Sequence, residues 1–297
     1  MSDPRPGLDP LARLLATLDL TDTGARTDED IFTGPSQWMP GGRVFGGQVY
    51  AQAIMAAIRT VVPERVIHST HGYFLRPGDA GQPITFSVDR IHDGRSFSTR
   101  RTQAYQNGVP ILSMIASFQD HDPGLEHQVD APVGVTPPEE LPSAAEVLRP
   151  VDHPVAQFWA TSRAFDIRHV EQPIYFAADP ARTPRQALWM RTIGPMPDDD
   201  RLHRAALAYA SDYSILEPIL RAHAVAWTHR GLKMASLDHA MWWHRPVRVD
   251  EWLLFVQESP TASGGRGLST GRIFTREGAL VATVAQEGMV RVPEPKD

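Results

Sequence analysis

The stretch Val44–Pro63 reads VFGGQVYAQAIMAAIRTVVP. Two glycines open it, Val49, Ala53, Ala56, Ala57 and Thr60 recur at spacings of three and four, and Pro63 closes it. That pattern predicts a helix whose small-residue face suits close packing on a sheet. Downstream, Val66 to Leu75, Pro83 to Asp89, Phe97 to Gln106 and Pro110 to Gln119 have strand character, and Pro77-Gly78-Asp79, Asp93-Gly94 and Asn107-Gly108 separate them as turns. The first half is therefore a helix followed by an antiparallel meander. Upstream, residues 9–19 (DPLARLLATLD) place leucines at helical spacing behind a capping aspartate, a short leading helix.

Between Asp122 and Pro154 seven prolines accumulate and no apolar period is sustained, which is linker chemistry, with Ser143 to Leu148 expected to form a turn of helix. Beyond it the order of the first half returns. Strand-like Phe165 to Val170 and Gln186 to Thr192 precede a helix expected from about Asp198-Asp199-Asp200 to Ala222. Strands follow at Met234 to Trp243, Trp252 to Glu258, Gly267 to Thr275 and Ala279 to Val290.

The repetition is visible in letters too. HGYFLRPGD lies on HAMWWHRPVRVD with Arg76-Pro77 against Arg245-Pro246, Gly94-Arg95-Ser96 falls against Gly265-Arg266-Gly267, and Asn107-Gly108 against Glu277-Gly278, at an offset of 169 to 171 throughout. Two copies of one unit are expected: an N-terminal helical segment at 1–30, a first domain at 31–122, a proline-rich linker at 123–155 and a second domain at 156–297. A helix wrapped by a curved antiparallel sheet is the hotdog unit. The expected α+β fold is thus a tandem, or double, hotdog whose sheets join edge to edge.

A chain of 297 residues has room for two such units. Its 42% hydrophobic and 22% charged residues are those of a folded globular protein. The net charge of −6 comes with scattered bases, which argues against nucleic acid as a partner. Without cysteine, disulfides, thiolate catalysis and sulfur-bound zinc are excluded. The opening MSDPRPGLDP has no signal-peptide pattern, no run approaches the ~18 apolar residues of a membrane span, and the closing Pro295-Lys296-Asp297 is no peroxisomal address. A cytoplasmic protein without integral membrane association is expected.

In the second helix the apolar stripe runs through Leu202, Ala205, Ala206, Tyr209, Leu216, Ile219 and Leu220, and Asp212 falls in register with it. A carboxylate aimed at a sheet costs several kcal/mol unless paired, so it has a partner or a task. The bland alternative is a helix that breaks near Ser211, with Asp212 capping the turn. The first helix, from Gly46 to Val62, contains no acid, so the repeat does not need one for packing. In the last strand Leu280, Ala282, Val284, Gln286 and Gly288 share a face by period two, which sets an amide in an apolar row; the alternative is an edge-strand glutamine facing water.

Ser236, Asp238 and His239 crowd together and invite a serine-hydrolase reading. Strand alternation and the absence of a Gly-x-Ser-x-Gly elbow argue against it. His68, His71, His239 and His244 lack the spacing of a metal site and are read as packing or phosphate contacts. Gly264-Gly265-Arg266-Gly267 is a turn, not a dinucleotide loop. No cofactor or metal is expected.

The combination VFGGQV, HSTHGYFLRPGD, DGRSFSTRR, YASDYSIL, SLDHAMWWHRP, EWLL and QEGMVR, spread from Arg43 to Arg291, resembles the acyl-CoA thioesterase II family. The resemblance implies a double hotdog that hydrolyses fatty acyl-CoA to free fatty acid and CoA, with acyl-CoA as substrate and further assembly into a homo-oligomer. The family's catalytic aspartate, strand hydroxyl and last-strand glutamine fall here on Asp212, Ser236 and Gln286. The strand position is familiar as threonine, so Ser236 keeps the hydroxyl and loses the methyl that restricts its rotamer. The same fold would serve an acyl-CoA hydratase or dehydratase, or a non-catalytic acyl-CoA binding module. His203 sits too early on the helix to pair with Asp212 for hydratase chemistry.

Overall fold

Asp9 accepts hydrogen bonds from the backbone N–H of Leu11 and Ala12 at 2.9 and 3.1 Å and starts helix α1 (Pro10–Leu18), which buries Leu11, Leu14 and Leu18. The computed structural model describes residues 9–25 and 27–293; the chain ends discussed above, Pro295-Lys296-Asp297 included, lie outside the described residues. The first half continues with β1 (Thr21–Asp22), β2 (Asp30–Gly34), α2 (Gly46–Ile58), β3 (Val66–Phe74), β4 (Ile84–Asp93), β5 (Phe97–Gln106) and β6 (Val109–Gln119). Two short helices follow, α3 (Ala144–Leu148) and α4 (Pro154–Ser162). The second half comprises β7 (Phe165–His169), β8 (Arg185–Thr192), α5 (Asp200–Ser211), α6 (Glu217–Ala222), β9 (Lys233–Ser236), β10 (Asp238–Trp243), β11 (Leu253–Ser263), β12 (Arg266–Thr275) and β13 (Leu280–Arg291).

All the strands join one antiparallel sheet in the order β1-β2-β4-β5-β6-β3-β10-β13-β12-β11-β8-β7, with β9 paired beside β13. Outward from the central β3–β10 pair the two directions match: β6, β5, β4, β2 on one side and β13, β12, β11, β8 on the other. At the centre His71 lies opposite Ala240, its counterpart at the spacing of 169 seen in the letters. The sheet wraps α2 and α5, which pack on each other. A Cβ on Gly47 would stand 2.4 Å from the backbone oxygen of Tyr209, so glycine is what allows the two helices this approach. The protein has the α+β hotdog fold.

Four elements depart from the sequence reading. The helix expected to run to Ala222 stops at Ser211, with Asp212 as its C-cap, and resumes at Glu217. Pro218 explains the break: it has no N–H for the carbonyl four residues back and its ring would collide there, whereas the first turn of a new helix tolerates it. The strand expected from Met234 to Trp243 is interrupted at Leu237. Ser236 pairs with Gly288, and Ala240 with Ala285, so the 236–240 segment carries one residue more than its partner, a bulge. A register shift between Ile273 and Phe274 turns Leu280 away from the face of Ala282 and onto the cluster of Trp189, Trp252 and Phe274. Strands β1 and β2 were not read from the sequence, because their few residues alternate too briefly to announce themselves.

Helix α3 forms at the expected place, with Ser143 and Glu146 as a capping box. Among the described residues no helix is long and apolar enough to cross a membrane.

Candidate active site

The three residues singled out from the sequence meet. Gln286 Nε2 donates to Asp212 Oδ1 at 2.8 Å and to Ser236 Oγ at 2.7 Å, and the Ser236 hydroxyl donates to Asp212 Oδ1 at 3.4 Å. Each arrives by a different route. Asp212 caps the C-terminus of α5 and its side chain meets Gln286 of β13, so the break in the helix and the pairing of the carboxylate occur together. Gln286 occupies the inner face of β13 between Val284 and Gly288 and is 1% exposed. Gly288 keeps that face open to the chain leading into α6, since a Cβ there would stand 2.5 Å from Leu216 Cδ1. Ser236 comes from the end of β9, opposite Gly288.

A fourth group belongs to the first half. The backbone N–H of Gly47, in the first turn of α2, donates to Asp212 Oδ2 at 2.7 Å. First-turn N–H groups have no acceptor within their own helix, and the helix dipole adds partial positive charge at that end. A Cβ on the neighbouring Gly46 would lie 2.7 Å from the same oxygen. The Gly-Gly pair of VFGGQV, read above only as a helix entry, thus makes room for a carboxylate from the other half. The three predicted residues all lie in the second half, but their surroundings do not.

Burial pushes the Asp212 carboxyl up to about 6, against the opposing hydrogen bonds from Gln286, Gly47 and Ser236. A carboxyl with that value is ionised at neutral pH and basic enough to accept a proton, which is the tuning general bases require.

Beside this group lies a cavity of about 800 Å³. Arg43, Phe45, Gly46, Tyr213, Leu216 and Met234 line it, together with Leu148, Val151 and Trp159. The last three come from the segment expected to be a linker and from α4 after it, so that segment contributes to the cavity lining. The stack of Phe45 on Tyr213, with centroids 5.2 Å apart, joins the two halves beside Asp212. A mostly apolar pocket with a few convergent polar groups suits a chain-like apolar ligand carrying one reactive polar end.

Sequence reasoning also missed the other side of Gln286. Its Oε1 is hydrogen-bonded to His239 Nδ1, and His239 Nε2 lies 3.0 Å from Ser211 Oγ. Of the packing or phosphate contact expected for this histidine, its burial against Tyr50 fits packing and not a phosphate contact, and the hydrogen bonds to Gln286 and Ser211 come in addition. Strand alternation would set Ser236 and His239 on opposite faces, yet the bulge at Leu237 brings both to one amide. The crowding within SLDHA was the available signal. Asp238 turns elsewhere and accepts the backbone N–H of Glu287 at 2.7 Å, so no serine–histidine–aspartate triad forms.

The fold and a carboxylate, hydroxyl and amide gathered at an apolar cavity define a hotdog-fold thioester hydrolase. Two family models match the chain: the acyl-CoA thioesterase N-terminal domain over residues 34–119 and acyl-CoA thioesterase over residues 160–289. Acyl-CoA thioesterase 2 of Haemophilus influenzae is 38% identical over 91% of this chain and 95% of its own length. Acyl-coenzyme A thioesterase 8 of Homo sapiens is 39% identical over 89% of this chain and 86% of its own. Among solved structures, the acyl-CoA thioesterase II TesB2 of Mycobacterium marinum superposes with a TM-score of 0.78 at 42% identity, covering 95% of this chain and 100% of that one. The chain belongs to the acyl-CoA thioesterase family.

Proposed function

We propose that this protein hydrolyses fatty acyl-CoA to free fatty acid and CoA through a water activated by Asp212, without an acyl-enzyme. The observation that carries this is the double donation of Gln286 to Asp212 and Ser236 at the cavity wall. Asp212 Oδ1 already takes two donors, and Oδ2 takes one from Gly47, which leaves an Oδ2 lone pair for the proton of a water. As that proton passes to Asp212, the water oxygen forms its bond to the thioester carbon. The tetrahedral intermediate then collapses, the C–S bond breaks, and the CoA sulfur leaves with the proton returned by Asp212. Ser236 Oγ, with one lone pair free, accepts from the water, and Gln286 holds Ser236 and the carboxylate in line. The N-terminus of α2 supplies positive potential where the oxyanion develops.

The same reading treats the chain as two copies of one hotdog unit, at 31–122 and 156–297, joined through β3 and β10. It is supported by the mirrored strand order and by the pairing of His71 with Ala240. The acyl chain occupies the apolar cavity, and exposed arginines, Arg43 of the cavity lining among them, meet the CoA phosphates. Residence in the cytoplasm and homo-oligomeric assembly are further parts of the proposal, the latter tested by light scattering of the purified protein.

Release of free thiol from palmitoyl-CoA tests the reaction. Turnover by the parental protein and its loss in Asp212→Asn are expected. Tight binding without thiol release would leave a binding module, and addition of water to an enoyl-CoA without thiol release would leave a hydratase.

A further inference from the structure

Gln286 touches both Asp212 and Ser236, so the orientation of its amide decides whether they meet donors or an acceptor. The hydrogen-bond partners fix that orientation. An ionised Asp212 only accepts, so the Nε2 end faces it and Oε1 faces His239. An amide oxygen donates nothing, so His239 Nδ1 must carry a proton. The imidazole is 1% exposed and burial pushes it down to about 4, so at neutral pH it holds one proton. Nε2 is then a bare lone pair that faces the Ser211 hydroxyl at 3.0 Å, whose one proton is shared with the Ala208 backbone oxygen at 2.9 Å. Ser211 is fully buried in the last turn of α5, one residue before Asp212. On its far side the imidazole is fixed by Tyr50, whose ring meets it edge-on at 4.7 Å and whose hydroxyl donates to the His239 backbone oxygen at 2.8 Å.

We propose that His239, oriented by Ser211, is a positioning residue that locks the Gln286 amide with its donors toward Asp212 and Ser236; this rests on the reading of Asp212 as the base. The chain of donors runs from His239 Nδ1–H to Gln286 Oε1 and from Gln286 Nε2–H to the carboxylate and the serine, with the Ser211 O–H, shared between the Ala208 backbone oxygen and His239 Nε2, behind the ring. The lock matters most after the proton has moved. A neutral Asp212 no longer repels a reversed amide, whereas His239 Nδ1–H still does, because reversal would set N–H against N–H. Asp212 therefore keeps its Oδ1 as acceptor through the cycle and its proton on Oδ2.

The test separates the donor from the bulk of the ring. Asparagine restores an N–H near the place of Nδ1; leucine fills the space without one. His239→Leu is expected to lower kcat for palmitoyl-CoA by ~10- to 100-fold with KM within about twofold, because misplaced catalytic groups lose turnover rather than binding. His239→Asn is expected to recover most of that loss even where it melts lower than the leucine variant, and Ser211→Ala to show a smaller loss of the same kind. If packing alone is the role, the leucine variant will be the more active of the two, which overturns the proposal. Nitrogen-15 NMR of the histidine rings in the parental protein reads the tautomer without turnover. A protonated Nδ1 and bare Nε2 at neutral pH are expected, and the opposite tautomer overturns the proposal even if every variant fails to fold. Asp212→Asn, assayed alongside, keeps the two readings apart. If it is inactive while His239→Leu turns over at the parental rate, the positioning role falls and the base stands; if it is fully active, the base assignment falls.

Discussion

The backbone N–H of Gly47 donates to Asp212 Oδ2 at 2.7 Å across a separation of 165 residues, so the first turn of α2 closes on a carboxylate supplied by the end of α5. This contact ties the two halves of the chain to one site. It also moderates the effect of burial, because an N–H and a helix dipole aimed at Oδ2 favour the charged form of a group that its surroundings would otherwise keep neutral.

Asp212→Asn keeps size and shape and removes the base. Turnover of palmitoyl-CoA is expected to fall ~100-fold or more with the circular dichroism spectrum unchanged. Ser236→Ala should cost less, because the serine holds a water that Asp212 still holds, and Ser236→Thr should restore turnover. Steady-state thiol release under saturating substrate checks all three, and an asparagine variant at the parental rate rejects the assignment.

Turnover should rise with pH through about 6, the value to which burial pushes Asp212, and level off above it. Stability should run the other way. With the folded value raised from 3.8 to about 6, the protonated group's contribution is fully present below 3.8 and is lost as pH rises through 6, an effect of ~3 kcal/mol at most. The melting temperature of Asp212→Asn relative to the parent should therefore increase between pH 4 and pH 7.5. A pH-independent difference would show that Asp212 has an ordinary carboxyl.

The two adjacent glycines should fail differently. A methyl on Gly47 meets the backbone oxygen of Tyr209 at 2.4 Å, so Gly47→Ala must separate α2 from α5 and destabilise the fold by ~1–3 kcal/mol. A methyl on Gly46 meets the Asp212 carboxylate at 2.7 Å, a side chain that yields by rotating, so Gly46→Ala should melt near the parent and lose kcat. Denaturant unfolding and thiol release on both variants would expose an inverted pattern.

Arg43 is exposed and lines the cavity, and a polyanionic CoA has to be held by a protein whose net charge is −6. KM for palmitoyl-CoA should increase with added salt, and Arg43→Ala should raise KM several-fold at low salt while flattening that dependence. A salt-independent KM in the parental protein would remove arginine contact with the phosphates from the account.

The sequence by itself determined most of the elements and marked two residues of the candidate site. Period and punctuation located α2 and most of the strands, and two polar residues in apolar rows marked Asp212 and Gln286. These were legible because burial imposes a period on local sequence, and a polar residue that breaks the period stands out. The tertiary structure alone decided what surrounds Asp212. That Pro218 ends the helix so that Asp212 is aimed at Gln286, and that a bulge at Leu237 carries Ser236 and His239 to one amide, depends on register between distant strands. That Gly47 meets the carboxylate depends on how two helices 154 residues apart at their starts pack against each other. Local periodicity fixes which face of its own element a residue takes; only the packing of elements fixes what that face meets.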